Sequence, residues 1–99
     1  MVNHVVLFKL KAYPAGEKQA KLDQLKTALL ELKNKIAELK YIEVGTNYEL
    51  NAKSYDLCLI THFGSMADLN AYAVHPEHLK VVSLVKEYTS DRAAVDFHF

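Results

Sequence analysis

Four side chains in this sequence are suited to proton transfer. Tyr72 is followed closely by His75 and His78, with Pro76 between the two histidines, and His4 lies near the start of the chain. An imidazole titrates near neutral pH and can accept or give a proton, whereas a phenol can donate a hydrogen bond to a developing oxyanion. If these groups converge, they would suit removal of a proton from the carbon next to a carbonyl group.

The same residues also admit purely structural roles. The ring of His75 could cap the helix that precedes it through a local hydrogen bond. Tyr72 and His78 could be core residues whose polar tips bond to the backbone, and His4 could be a buried histidine with its own partner. The sequence alone leaves both interpretations open.

We expect neither a metal nor a cofactor. His75 and His78 are three positions apart, as metal ligands can be, but the proline between them distorts a helical pair and Glu77 should point elsewhere. Cys58, in the middle of a predicted strand, is typical of a small core residue. Three scattered glycines cannot form a phosphate-binding loop.

Composition narrows the classes of protein. The 99 residues suffice for one domain, with 51% hydrophobic and 24% charged residues and a formal net charge of zero. That balance argues against nucleic-acid binding, which needs a basic surface. The first apolar run is too short for a signal peptide, and no segment approaches the ~20 apolar residues that cross a bilayer. A single cysteine excludes an internal disulfide. We expect a cytoplasmic protein without a membrane segment.

Hydrophobic periodicity predicts the regular elements. Alternation of apolar residues predicts strands over 2–11, 41–50 and 55–63, and a last strand that follows Asp91 and runs to Phe99. A long amphipathic helix lies between the first two strands. Its apolar stripe comprises Leu22, Leu25, Leu29, Leu32, Ile36 and Leu39. Three heptads also fit a coiled coil, but flanking strands favour a helix packed on a sheet.

Local signals predict the turns and helix ends. Gly45 could mark a bulge or twist in the second strand, and residues 51–54 form a turn. Ser65 with Asp68 matches a capping box, so a short helix should begin there. Pro76 should end or kink that helix, and a further helix follows it.

The order strand, helix, strand, strand, helix, strand predicts one α+β domain over residues 1–99. It is the ferredoxin-like βαββαβ arrangement, an antiparallel four-stranded sheet with helices on one face. His4 shares a strand face with Val6 and Phe8. If that face meets the helices, His4 lies near Tyr72 and His78.

The second face of this sheet is also apolar. In the first strand Val5 and Leu7 lie opposite Val6 and Phe8, and in the third strand Leu57 and Leu59 lie opposite Cys58 and Ile60. We expect Val5 and Leu59 on the face that the helices leave uncovered. A large exposed apolar patch usually marks an interaction surface, and symmetric pairing of two copies closes it. We therefore expect a homodimer formed through the sheet face. The alternative is that helices cover both faces within one chain.

The sequence resembles the stress-responsive dimeric α/β-barrel (Dabb) family along essentially its whole length. The matching residues are His4 to Lys11, Gly45, Asn47, Tyr55, Asp56, Phe63, Ser65, Leu69, Tyr72, His75 to His78, Asp96 and Phe97. The resemblance implies a ferredoxin-like fold in which two subunits pair their sheets into a barrel.

The chemistry best understood in that family is that of plant polyketide cyclases, which fold a linear poly-β-keto thioester into an aromatic acid. This sequence is similar to them at His4, Tyr72, His75 and His78. The resemblance implies that His78 is the base and that Tyr72 stabilises the enolate oxygen. We expect either a small lyase acting on a carbonyl ligand or a non-catalytic, stress-associated dimer.

Overall fold

The computed structural model describes residues 1–50 and 53–99, which form one four-stranded antiparallel sheet in the order β2-β3-β1-β4. The strands are β1 (Val2–Leu10), β2 (Tyr41–Thr46), β3 (Leu57–Phe63) and β4 (Thr89–His98). The helices are α1 (Ala15–Glu31), α2 (Met66–Ala73) and α3 (Pro76–Tyr88). The predicted ferredoxin-like fold is confirmed. Within the described residues, no helix combines the length and the apolar character needed to span a membrane.

The side chains of β1 alternate between two environments, as a strand requires. Val6 and Phe8 are buried against the helices, whereas Val5 and Leu7 are only partly buried on the opposite side. We call these two sides of the sheet the helix face and the open face. Leu57, Leu59, Thr61 and Phe63 extend the helix face across β3. The prediction that Leu59 lies on the uncovered face was wrong: it is 3% exposed, because the register pairs it with Val6 on the helix face.

The first helix is shorter than its apolar stripe predicts. Leu22, Leu25 and Leu29 are buried in α1, but the α-helix ends at Glu31 and continues only as a 3₁₀ turn. Ile36 and Leu39 are each 1% exposed, although they lie beyond that turn. A residue can therefore fill the core without helical geometry, because the chain must bend back towards β2 at this point.

Several other predicted boundaries were wrong by a few residues. β2 ends at Thr46, well before residue 50, and β4 begins at Thr89, directly after α3. Gly45 forms no bulge, since it lies opposite Cys58 in an unshifted register. The register shift in the described sheet lies instead between Lys9 and Leu10. Half of the predicted 51–54 turn, residues 51 and 52, lies outside the described residues.

The junction between α2 and α3 follows the predicted signals. The Ser65 hydroxyl accepts a hydrogen bond from the Asp68 backbone N–H at 3.2 Å, which caps α2. Pro76 is the first residue of α3, where its missing N–H costs nothing. The two helices therefore meet at a short corner, and this corner carries the histidines.

A buried carboxylate fixes the far end of β1. Asp56 is 1% exposed, and its carboxylate accepts a hydrogen bond from the Leu10 backbone N–H at 2.8 Å. Lys18 of α1 lies 3.0 Å from the same carboxylate. A buried charge needs such partners, so this pair ties α1 to the sheet.

The open face carries an apolar surface that no described helix covers. It comprises Tyr41, Val5, Leu7, Cys58, Ile60, His62, Val95, Phe97 and Phe99. Val95 is 56% exposed and Phe97 46% exposed. The His62 ring stacks on Tyr41, with ring centroids 4.6 Å apart.

Candidate functional site

A pocket of about 390 Å³ lies between the helix face and α3. Its walls are largely apolar and come from β1, β3, α1 and α3: Val6, Phe8, Leu29, Leu59, Val81, Val82 and Val85. His4, Tyr72 and His78 also line it. A mostly apolar pocket of this size with few polar groups is typical of small-molecule sites.

Tyr72 is the most deeply buried polar side chain of the pocket. It lies on the inner side of α2, is 1% exposed and contacts Phe63, with ring centroids 4.9 Å apart. Its hydroxyl has no hydrogen-bond partner among the described residues. Burial raises the pKa of Tyr72 to about 12, so the phenol keeps its proton at neutral pH. It is a hydrogen-bond donor available to a ligand.

His78 lies beside this phenol in the first turn of α3. The ring centroids of Tyr72 and His78 are 4.3 Å apart, and His78 Nδ1 lies 3.0 Å from the Ala73 carbonyl oxygen. A carbonyl oxygen only accepts, so Nδ1 carries the hydrogen and donates it. In the neutral ring, the unprotonated nitrogen is therefore Nε2.

The surroundings of His78 favour that neutral ring. Burial is the main cause that lowers the pKa of His78, and the Ala73 hydrogen bond partly opposes it. The charges of His4, Arg92 and His75 lower the pKa further. A neutral imidazole with a free Nε2 can act as a general base at physiological pH.

His4 lies on β1, opposite Asp96 of β4 in the strand register. Its Nδ1 donates a hydrogen bond to the Asp96 carboxylate, which fixes the ring and leaves Nε2 as the other nitrogen. His4 therefore has the hydrogen-bond partner that a structural role predicts, but the same ring also lines the pocket. Both observations hold together, because a histidine has two ring nitrogens.

His75 is the one predicted site residue that does not line this pocket. Its Nδ1 accepts a hydrogen bond from the Glu77 backbone N–H at 3.1 Å and caps α3. The expected cap therefore exists, but on the following helix rather than the preceding one. The reason is that Pro76 starts α3, so His75 takes the N-cap position.

The mouth of the pocket holds charged residues that sequence patterns did not single out. Lys86 and Arg92 are exposed there, together with Asp91. Asp96, the partner of His4, is among the residues that resemble the family, but no sequence pattern indicates a role for it. The signal that could have found Arg92 and Asp96 is strand pairing, since β4 lies beside β1 and places them opposite Phe8 and His4.

No group of three or more His, Cys, Asp or Glu side chains within residues 1–50 and 53–99 could hold a metal ion. His75 and His78 use their Nδ1 atoms on two different backbone groups. Tyr72, His78 and His4, which line the pocket, carry groups that can form hydrogen bonds and exchange protons.

The fold and the pocket together indicate the class of protein. It is a small ferredoxin-like α+β domain with a ligand-sized cavity between the sheet and the helices. Residues 2–99 match the family model described as Stress responsive A/B Barrel Domain (Dabb), so the chain belongs to this family.

Two relatives support the assignment. The chain is 32% identical over 100 residues to the Stress-response A/B barrel domain-containing protein DABB1 of Arabidopsis thaliana. That alignment covers 98% of this chain but 46% of the relative, so the chain spans about half of its length. A crystal structure from Bacteroides fragilis, described as a dimeric protein of unknown function with a ferredoxin-like fold, is 35% identical with a TM-score of 0.90. It covers 99% of this chain and 95% of its own.

A hydroxynitrile lyase from Passiflora edulis has the same fold. It is 20% identical with a TM-score of 0.81, and the likeness covers 97% of this chain and 90% of the lyase. At this identity the likeness establishes the common fold alone.

Proposed function

We propose that this pocket binds a small carbonyl compound, that His78 removes a proton from the carbon next to the carbonyl, and that the Tyr72 hydroxyl hydrogen-bonds to the carbonyl oxygen. The observation that carries the proposal is the buried Tyr72 hydroxyl, which has no partner in the described structure and lies beside His78. A buried hydroxyl without a partner is costly, and a ligand oxygen would satisfy it.

The proposed step follows from the two protonation states. The ligand oxygen accepts a hydrogen bond from the Tyr72 hydroxyl. His78 Nε2 removes the proton from the adjacent carbon, and the electron pair of the broken C–H bond forms the C=C bond of an enolate. Negative charge moves onto the oxygen that Tyr72 holds, and His78 becomes an imidazolium. The reaction ends when His78 returns the proton to the carbon. Alternatively, that carbon attacks a second carbonyl, whose C=O π bond breaks to give an alkoxide, and His78 returns its proton to this alkoxide.

His4 is the second imidazole at the pocket, and we assign it a positioning role. Its ring is held by the Asp96 carboxylate, so it presents a fixed wall to the ligand. The hydroxynitrile lyase from Passiflora edulis, which has the same fold, supports the view that such a domain can act as a lyase.

Exchange of carbon-bound hydrogen for deuterium tests the proposal directly. The neutral ketone 1-phenylpropan-2-one is incubated with the protein in D₂O, and loss of its α-proton signal is followed by NMR. Tyr72→Phe and His78→Gln are each expected to slow the protein-dependent exchange by about 100-fold or more. The matched control is His98→Gln, since His98 is exposed and does not line the pocket.

The pH dependence of the same exchange separates a base from a structural histidine. The rate should rise through a pKa below the ordinary histidine value of 6.5, because burial lowers the pKa of His78. Exchange that is unchanged in His78→Gln, or that equals the rate without protein, would remove the proposal.

The second candidate function is stable self-association without catalysis, and the open face favours it. We infer that two copies pair through this face, since Val95, Phe97 and Phe99 are all about half exposed on it. The dimeric description of the Bacteroides fragilis relative supports the pairing. Sedimentation equilibrium at micromolar concentration is expected to give twice the chain mass. If the protein is not catalytic, His78→Gln should change its stability alone. The cytoplasmic location stays a prediction.

A further inference from the structure

The mouth of the pocket carries two basic side chains that the proposed proton transfer does not use. Lys86 lies in the last turn of α3 and Arg92 lies on β4. Neither forms an ion pair with any carboxylate of the described residues. The other charged group there is Asp91, whose carboxylate accepts a hydrogen bond from the Ser90 hydroxyl at 3.4 Å. The mouth therefore has a net positive charge.

The polar character of the pocket changes between the exposed cations and the buried Tyr72. Arg92 is close enough to His78 for its charge to add to the effect of burial on that ring. Apart from these cations, Asp91 and Tyr72, the lining consists of apolar side chains together with His4, His78, Thr89 and Ser90. A ligand that fills the pocket thus meets a hydrogen-bond donor at the buried end, largely apolar walls and unpaired cations at the mouth.

We infer that the natural ligand is an amphipathic keto acid, whose carbonyl contacts Tyr72 and whose carboxylate is held by Lys86 and Arg92. Its body is apolar and has the size of a single ring or a short carbon chain, as the volume of about 390 Å³ allows. This substrate class rests on the proposed function. A guanidinium is suited to a carboxylate because it offers parallel donors in a planar fork.

The test compares two compounds of the same carbon skeleton, one ending in a carboxylate and the other in an uncharged amide. These are 4-oxo-4-phenylbutanoate and the uncharged 4-oxo-4-phenylbutanamide, and their binding is followed by chemical-shift titration of the isotopically labelled protein. The acid is expected to bind about tenfold more tightly than the amide, and added salt should weaken the acid alone. Lys86→Met and Arg92→Met should each weaken the acid by several-fold and together bring it to the affinity of the amide.

The matched control is Lys80→Met, which removes a lysine from the same helix. Lys80 pairs with Glu77 at 3.2 Å and does not line the pocket, so its loss should leave both affinities unchanged. The variants retain an apolar stem, and circular dichroism checks their fold.

Each result decides one question. Equal binding of acid and amide, or equal weakening of both by Lys86→Met, would overturn the inference. So would failure of the acid to bind, or inorganic phosphate binding more tightly than the acid. None of these outcomes would contradict proton exchange on the neutral ketone, which tests the proposed function separately. Conversely, acid-selective binding without any exchange would keep the ligand class and remove the proposed catalysis.

Discussion

The two faces of the sheet are both apolar, yet they differ in what covers them. On the helix face, α1, α2 and α3 bury Val6 and Phe8 and leave a pocket in which the Tyr72 hydroxyl has no partner among the described residues. On the open face, Val95 and Phe97 are about half exposed to solvent. The helix face therefore contains a buried hydroxyl without a hydrogen-bond partner among the described residues, and the open face is an apolar surface that no described helix covers. The first fits a small ligand and the second a protein partner.

This difference follows from the connectivity of the chain. Both crossovers of a βαββαβ chain place their helices on the same side of the sheet, so alternation along β1 necessarily directs Val5 and Leu7 to the other side. Burying one such side chain contributes roughly 1.5–3 kcal/mol, which several residues of the open face would gain by pairing.

The largest expected effect comes from a charge placed on the open face. Val95→Asp would bury a carboxylate from each copy in the dimer without an opposite charge nearby. The dissociation constant is expected to rise about 1,000-fold, or roughly 4 kcal/mol, as measured by sedimentation equilibrium.

The control for this variant is Leu79→Asp, which adds the same charge at a residue of α3 that is 50% exposed but lies away from the sheet. That variant should remain a dimer. If Val95→Asp also remained a dimer at the same concentration, the open face would not be the interface.

The alternation within each strand was predictable from sequence because it is a local property of the strand, but the face on which Leu59 lies was not, since it depends on the pairing of β1 with β3. Val5 and Val6 are adjacent, and their opposite environments follow from the period of two alone. The hydrogen bond between His4 and Asp96 was harder to predict from sequence. It requires both the strand order and the register between β1 and β4, which are set by contacts between residues far apart in the chain.

The next largest expected effect is a loss of stability at alkaline pH, which depends on the burial of Tyr72 on the helix face. The folded pKa of Tyr72 is about 12, above the ordinary value of 10.0. The unfolded chain therefore loses the phenolic proton first. The stabilisation is fully present below pH 10 and is lost as the pH rises towards 12, by roughly 2–3 kcal/mol in total.

The difference between wild type and Tyr72→Phe isolates this effect from the other tyrosines and the lysines. Urea unfolding of both proteins between about pH 9 and 11 should show wild type losing free energy of unfolding relative to the variant. At neutral pH the variant should be at least as stable, since the hydroxyl bonds to no described residue. Parallel pH profiles would mean that the phenol is exposed to solvent.

The ends of the elements were the least predictable part of the fold. Ile36 and Leu39 continue the apolar period of α1, but they fill the core from the segment that leads into β2. Apolar periodicity predicts which residues are buried, but it does not predict the backbone conformation that places them in the core. The same reasoning explains why the cations at the pocket mouth were missed: Lys86 and Arg92 come together only after α3 and β4 are placed.

The smallest expected effect separates His75 from the pocket residues of the helix face. His75→Ala removes the side-chain acceptor of the Glu77 backbone N–H and should lower the free energy of unfolding by about 1 kcal/mol, as loss of an N-cap does. Because the ring does not line the pocket, ketone exchange should stay within about twofold of wild type once the fraction of folded protein is accounted for. Urea unfolding and the deuterium exchange assay on one preparation measure both quantities. His75→Asn is the matched control, since asparagine caps helices well and should restore stability. Loss of exchange in both variants, with stability restored in His75→Asn, would make His75 part of the chemistry and move the boundary of the site to the helix corner.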